Sequence, residues 1–302
     1  RSMDLCDWIP SIQDIKAAIL ESGESAPGPD GIPFRALKLV ADAAANILHQ
    51  FIDELHTNAN PEVMNSLNEA WLVLLPKKPT VIDPMFGHLY SPQDMRPLSI
   101  VSTYNRVLAN SMRKKLAPLA EEYIGTSQRG FLKGRNILEN ILDLDTAGHR
   151  CRWEDTNGAT VLFDFKAAFP SLDHDYMWEC LLAMGIPIEV VRAYQWLHHS
   201  NTHKVKVNGT TLPSITVQSG VRQGCPLRPI LFILCIEPLL HRLCKEHPTA
   251  TIRAFADDIG GAFNNIQEAW PRLVDTFQEF AQLSGLHTHS KKVMIMPWWK
   301  EA

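Results

Sequence analysis

Long hydrophobic runs are missing from this 302-residue sequence. The longest, Ile230 to Leu240, is interrupted by Glu237 and Pro238 and falls well short of the ~20 apolar residues of a membrane span, so no membrane partner is expected. Cysteine is sparse and unpatterned: the six, at positions 6, 151, 180, 225, 235 and 244, form no Cys-x-x-Cys pair and no framework of the kind that staples small secreted domains. A reducing intracellular compartment is the default. His199 and His203 stand at the i, i+4 spacing of a helical zinc pair, with His198 beside them, but no third ligand completes a site, and structural or surface histidines are expected. No Gly-x-x-x-x-Gly-Lys-Ser/Thr loop is present, which argues against a P-loop nucleotide hydrolase. The chain opens on Arg1-Ser2-Met3 without a charged-then-apolar leader, and these residues read as a cut from something longer.

What is present is an ordinary globular composition, 45% hydrophobic and 21% charged, without repeats and long enough for a core in two lobes. The net charge of −4 gives no whole-chain sign of nucleic-acid binding. Its distribution is more telling. From Arg96 to Arg135 eight basic residues face two acidic ones, Glu121 and Glu122, a segment suited to phosphate contacts; a solvated helix face is the competing reading of Arg113-Lys114-Lys115.

Turn-forming residues punctuate the chain. Residues 8–58 read as helix, loop and helix, with a turn at Ser25–Gly31 and one long helix from Phe34 to Thr57. Ala70–Leu75 predicts a strand that delivers Lys77 and Lys78 to a Pro-bounded loop. The C-terminal half alternates strand and helix signals: a strand over Thr160–Phe165, helices over Asp175–Met184 and Glu189–His199, and strands Lys204–Val207 and Ser214–Gln218 around an Asn208-Gly209 turn. A buried helix over Pro229–Leu243, strands Ile252–Ala256 and Ile259–Phe263, and an amphipathic helix over Glu268–Leu283 complete an α+β lobe.

Asp257 and Asp258 sit between two apolar strands, where aspartate is disfavoured and like charges repel. A hairpin turn alone accounts for an isolated Asp-Asp pair. A second acid in a similar setting, Asp164 at the end of Thr160-Val161-Leu162-Phe163, changes the balance. Carboxylates on neighbouring strands can hold two Mg²⁺ ions about 3.5–4 Å apart, the arrangement used for in-line phosphoryl displacement, and the cations relieve the repulsion.

These residues carry a resemblance. Phe255-Ala256-Asp257-Asp258 resembles the aromatic-x-Asp-Asp box of reverse transcriptases, and Phe163-Asp164-Phe165-Lys166-Ala167-Ala168-Phe169 resembles their first catalytic strand. Between them lies Ser219-Gly220-Val221-Arg222-Gln223-Gly224-Cys225-Pro226-Leu227, and after them Ser284-Gly285-Leu286 leads to Lys291-Lys292. Upstream, Ser25–Pro33, Arg96-Pro97-Leu98-Ser99 and Gln128-Arg129-Gly130-Phe131 with Gly134-Arg135 are similar to the family's finger motifs. The wording is nearest to non-LTR (LINE-type) retrotransposon enzymes, with group II intron reverse transcriptases more distant.

The resemblance implies a right-hand polymerase: an N-terminal helical extension over residues 1–58, fingers over 59–159 and palm over 160–302, with the thumb absent after Trp298-Trp299. It implies an RNA-directed DNA polymerase that extends a DNA or RNA primer with dNTPs on an RNA template, uses two Mg²⁺ ions (Mn²⁺ a substitute), belongs to a longer polyprotein with thumb and endonuclease domains, and works in nucleus or cytoplasm. Asp164, Asp257 and Asp258, with Phe165, would hold the metals, and Lys292, beside its competitor Lys291, would meet pyrophosphate. Phe169 would be the aromatic gate that clashes with a ribonucleotide 2′-OH. Arg96, Gln223 and Gly224 would contact the nucleotide, and Arg113, Lys114, Arg129 and Arg135 the template and primer. Pro170, Arg228, His287 and His289 depart from the usual Asp, Ser, Lys and Asn. Two rivals follow: a non-catalytic RNA-binding scaffold of the same fold, disfavoured by three retained acids, and an RNA-synthesising relative, disfavoured by Phe169.

Overall fold

The computed structural model describes residues 5–57, 60–77, 79–91, 95–154, 156–207 and 210–299. Helices α1 (Leu5–Trp8), α2 (Ile12–Leu20), α3 (Phe34–Leu39), α4 (Ala41–Thr57) and α5 (Pro61–Asn68) precede strands β1 (Ala70–Pro76), β2 (Val81–Asp83), β3 (Gly87–Leu89) and β4 (Met95–Val101). There follow α6 (Thr103–Tyr123), α7 (Ile137–Trp153), β5 (Ala159–Phe163), α8 (Ala168–Ser171), α9 (His174–Ala183), α10 (Ile188–His198), β6 (Asn201–Val207) and β7 (Thr210–Val217). The last elements are α11 (Arg228–Glu246), β8 (Thr251–Phe255), β9 (Asp258–Phe263), α12 (Ile266–Ser284) and β10 (Met294–Pro297). Among the described residues no helix is long and apolar enough to cross a membrane.

The chain divides into two compact units. One comprises Arg1–Lys115, Ile186–Gln218 and Arg222–Arg228; the other comprises Leu116–Gly185, Ser219–Val221 and Pro229–Ala302. Pairing between distant segments explains this division. β1 runs parallel to β6, which draws the β6–β7 hairpin into the first unit, while α7 packs on β8 and β9, which binds the stretch after residue 115 to the second.

The first unit is built on a sheet of order β4-β1-β6-β7. Its helices start from a Ser11 capping box, in which the Ser11 side chain accepts from Asp14 N and Asp14 accepts from Ser11 N, satisfying donors that a helix start leaves orphaned. The expected single helix over 34–57 is broken at Val40 (φ −124°), and both pieces pack on α2, whose Ile15 and Ile19 are fully buried with Ile52 and Leu55 of α4. The Asn208-Gly209 turn and Lys78 lie outside the described residues.

A polar cluster occupies this unit's interior. Asn68 Nδ2 donates to Trp196 O at 2.8 Å and His199 O at 2.7 Å. Arg222, only 5% exposed, donates to Asn68 O and Oδ1 at 3.3 and 3.4 Å and to Leu197 O. Burial pushes the guanidinium down to about 10, so it stays charged at neutral pH. Burial, and secondarily Arg222, pushes buried His203 down to about 4. His198 is also buried, its Nδ1 2.9 Å from Tyr194 O. Two of the three grouped histidines are therefore interior residues.

The second unit has an all-antiparallel sheet of order β10-β5-β9-β8. α12 lies against β5, with Phe277 stacked on Phe163 at 4.3 Å between ring centroids. α11 is buried at nearly every apolar position from Ile230 to Leu243, as its continuous hydrophobic pattern predicts.

Candidate active site

One end of the second unit's sheet gathers the acids. β5 and β9 are paired through Phe163 opposite Ile259; the next step of that register sets Asp164 across from Asp258. β8 and β9 are joined by Ala256 and Asp257, with Phe255 paired to Asp258, so the turn falls one residue earlier than the Asp-Asp pair suggests, and Asp258 opens a strand. Asp164 and Asp257 are half-buried and Asp258 is exposed. Burial first, then the neighbouring carboxylates Asp257 and Asp164, push the Asp258 carboxyl above its ordinary range. Residues 93 positions apart in sequence thus share one electrostatic environment.

The Asp164 position is fixed by packing and by backbone pairing. The strand before it is held by Phe163 on Phe277, and after it Phe165 is buried beside Phe277 and Phe280, with centroids 6.1 and 6.4 Å away. Its ring being in the core, Phe165 can offer a cation only its backbone carbonyl. His289 N donates to Asp164 O at 2.7 Å and Lys166 N to His287 O at 2.8 Å, so the segment with the unusual His287 and His289 pairs through main-chain groups that do not depend on side-chain identity. That pairing brings Lys292 Nζ to 2.8 Å from Asp164 Oδ2.

Among the described residues no group of three or more His, Cys, Asp or Glu side chains converges into a cage that could hold a metal ion. The donor chemistry nevertheless fits a hard cation, because Mg²⁺ is commonly bound by one or two carboxylates while substrate phosphates and water complete its shell. The mutual repulsion evident at Asp258 is what such a cation relieves.

Phe169 lies one short turn from Asp164. Ala167 adopts φ +47° at the head of α8, and the half-buried Phe169 ring rests on Phe232 at 4.2 Å and meets Phe131 edge-on at 6.5 Å. Val221 N donates to Phe169 O at 2.9 Å and Gly220 N to Leu172 O at 2.7 Å, lacing Ser219–Val221 to this turn. Pro170 participates, its carbonyl accepting from Ser219 Oγ at 3.2 Å.

Three expected nucleotide contacts lie in the first unit. Arg96 is exposed on β4. Gln223 O accepts from Ser99 N at 2.9 Å, and Gly224 has φ +113°, with a Cβ there falling 2.5 Å from Ser99 O. Both the left-handed backbone and the close approach require glycine; the backbone that uses this space is Ser99 of the same unit.

The basic segment is largely engaged within the protein. Lys114 pairs with Glu21 at 2.5 Å and Lys115 with Asp14 at 2.9 Å; Arg113 donates to Asn110 at 3.0 Å. Arg129 pairs with Glu139 and Asp143 at 3.2 and 2.8 Å, and Arg135 donates to the carbonyls of Gln128 and Ile124 at 2.6 and 3.1 Å. A local charge count overlooks these partners because Glu21 lies 93 residues from Lys114. Arg129 and Arg135 act first as internal braces. A residue the motif reading passed over is Gln128, fully buried with its amide bonded to the backbone of Ala256; its place beside Arg129 in the quoted motif was the available signal.

Comparison with known proteins matches residues 75–301 to the family described as reverse transcriptase (RNA-dependent DNA polymerase). The chain is 28% identical over 290 residues to a transposon TX1 uncharacterized 149 kDa protein of Xenopus laevis, covering 90% of this chain and 21% of that one. It is 26% identical over 289 residues to a Pol polyprotein from the type-1 retrotransposable element R2 of Popillia japonica, covering 93% and 38%. Each of these relatives is much longer than the part matched. Among solved structures, apo telomerase from Candida tropicalis, truncated from its C-terminal domain, superposes with a TM-score of 0.56 at 12% identity, over 84% of this chain and 56% of that one, which shows a shared fold. With the family model spanning three quarters of its length, this chain belongs to the reverse transcriptase family, of the kind found in non-LTR retrotransposon polyproteins.

Proposed function

We propose that this chain carries the polymerase centre of an RNA-directed DNA polymerase, extending a primer 3′-OH with dNTPs on an RNA template. The observation that supports this reading most is the placement of Asp164, Asp257 and Asp258 at one sheet end, within electrostatic reach of one another, with Lys292 paired to Asp164. Asp164, Asp257 and Asp258, together with substrate phosphates, would hold divalent cations, which would supply Lewis acidity at the primer hydroxyl and at the departing pyrophosphate. Asp164 and Asp257 orient their oxygens from a strand end and a tight turn, positions that hold geometry better than a mobile loop. The Lys292 ammonium meets the charge that develops on pyrophosphate. The Phe169 ring, backed by Phe232, closes the space a ribose 2′-OH would need, which selects deoxynucleotides. Template recognition is by base pairing and duplex shape.

Primer extension with Mg²⁺, RNA or DNA template, and dNTPs or rNTPs tests the reading, with Asp257→Ala as control. RNA-templated dNTP incorporation abolished by Asp257→Ala is the expected result. Template binding without incorporation would point to a scaffold instead, and preference for rNTPs to an RNA-synthesising enzyme.

A further inference from the structure

Asp257 is launched from Ala256, a non-glycine residue with φ +57°. The left-handed conformation is sterically unfavourable for an alanine, so something in the surrounding structure imposes it. Gln128 is in place to do so. Its side chain is 0% exposed and its amide is committed to this turn: Oε1 accepts from Ala256 N at 2.9 Å and from Gly130 N at 2.8 Å, while Nε2 donates to Ala256 O at 3.1 Å. Both main-chain polar groups of the strained residue are thereby bonded to one buried side chain.

The backbone around Gln128 is fixed to the same strand. Ala254 N donates to Ser127 O at 2.7 Å and Arg129 N to Ala254 O at 2.8 Å, setting Gln128 beside Ala254 in a parallel bridge. Arg129 and Arg253 share Asp143, at 2.8 and 2.6 Å, which ties the two segments again from their polar side. Gly130 completes the fit, since a Cβ there would lie 2.3 Å from Ala256 N.

We propose that Gln128 is a positioning residue for the metal-binding turn, holding Ala256 left-handed so that Asp257 and Asp258 present their oxygens toward Asp164. The proposal rests on the reading of these acids as cation ligands. A partner that orients a metal ligand is worth 10–100-fold in metal affinity or activity, by general experience with such sites.

The test is Mn²⁺ binding to the chain, followed by electron paramagnetic resonance, alongside primer extension and thermal unfolding. Gln128→Met, similar in size and unable to bond Ala256, is expected to weaken Mn²⁺ binding about tenfold or more and to raise the Mg²⁺ concentration for half-maximal extension in step, with KM for dNTP within about threefold. Introducing Ala256→Gly into the Gln128→Met chain, which makes φ > 0 accessible without a brace, is expected to restore part of the lost affinity. A purely structural plug predicts lower thermal stability with unchanged Mn²⁺ affinity in the folded fraction, and that outcome overturns the proposal. Gln128→Asn, one methylene too short to reach, carries the same comparison if the Met variant does not fold. Failure of the unsubstituted chain to bind Mn²⁺, or binding that survives Asp257→Asn, overturns the underlying reading and the proposal with it; intact binding that is indifferent to Gln128 overturns the proposal alone.

Discussion

Two regions of this protein collect charge of one sign, and they settle it in opposite ways. In the first unit Arg222 is enclosed, and the carbonyls of Asn68 and Leu197 face it. In the second unit Asp164, Asp257 and Asp258 stand at the open end of a sheet, where burial and like charge push Asp258 upward and one lysine offsets part of the excess. A charge enclosed by backbone dipoles supports architecture. Charges left in mutual repulsion at an accessible sheet end are available to a cation, and that contrast separates scaffold from chemistry.

The largest effect is expected at the open cluster. Asp257→Asn should lower primer extension by ~10³-fold or more, the scale for losing charge stabilisation in phosphoryl transfer, while thermal unfolding shows stability unchanged or slightly raised because a repulsion is removed. A parallel collapse in stability would erase the distinction between the two regions. Arg222→Ala should do the reverse, costing ~2–4 kcal/mol in denaturant unfolding, since it opens a cavity and leaves carbonyls unpaired. Lys292→Ala should reduce kcat by ~10²-fold or more, the lower end of the range for a lost proton donor, with recovery in Lys292→Arg limited to the charge component.

The smallest effect concerns pH and the enclosed cluster. His203 is neutral when folded because burial and Arg222 lower it to about 4, whereas the unfolded side chain titrates near 6.5. The stabilisation is fully present above pH 6.5 and is lost as pH falls toward 4, a change on the order of 1–3 kcal/mol. Unfolding free energies measured across this window should slope downward on acidification, and His203→Leu should flatten the slope.

Elements with a strong local pattern were legible in the sequence. The apolar run before Asp164 and the all-round apolar α11 stand within a residue or three of where periodicity puts them. α7 was not, because Leu138, Ile141 and Leu142 are exposed and blur the buried stripe. β4 carries Pro97, which weakens a strand signal, and β10 has only four residues. The motif order pointed to the acids before any coordinate did, yet the ion pairs of Arg129 and Lys114, and the Gln128 brace, depend on partners far along the chain. Local patterns carry no information about such partners.

Anomalous diffraction from Mn²⁺-soaked crystals of the protein with primer–template and a non-hydrolysable dNTP tests the central claim most directly. Two peaks about 3.5–4 Å apart, within coordination distance of Asp164 and Asp257 oxygens and of substrate phosphates, are the expected result. A full-occupancy substrate complex without manganese density at those carboxylates would contradict it.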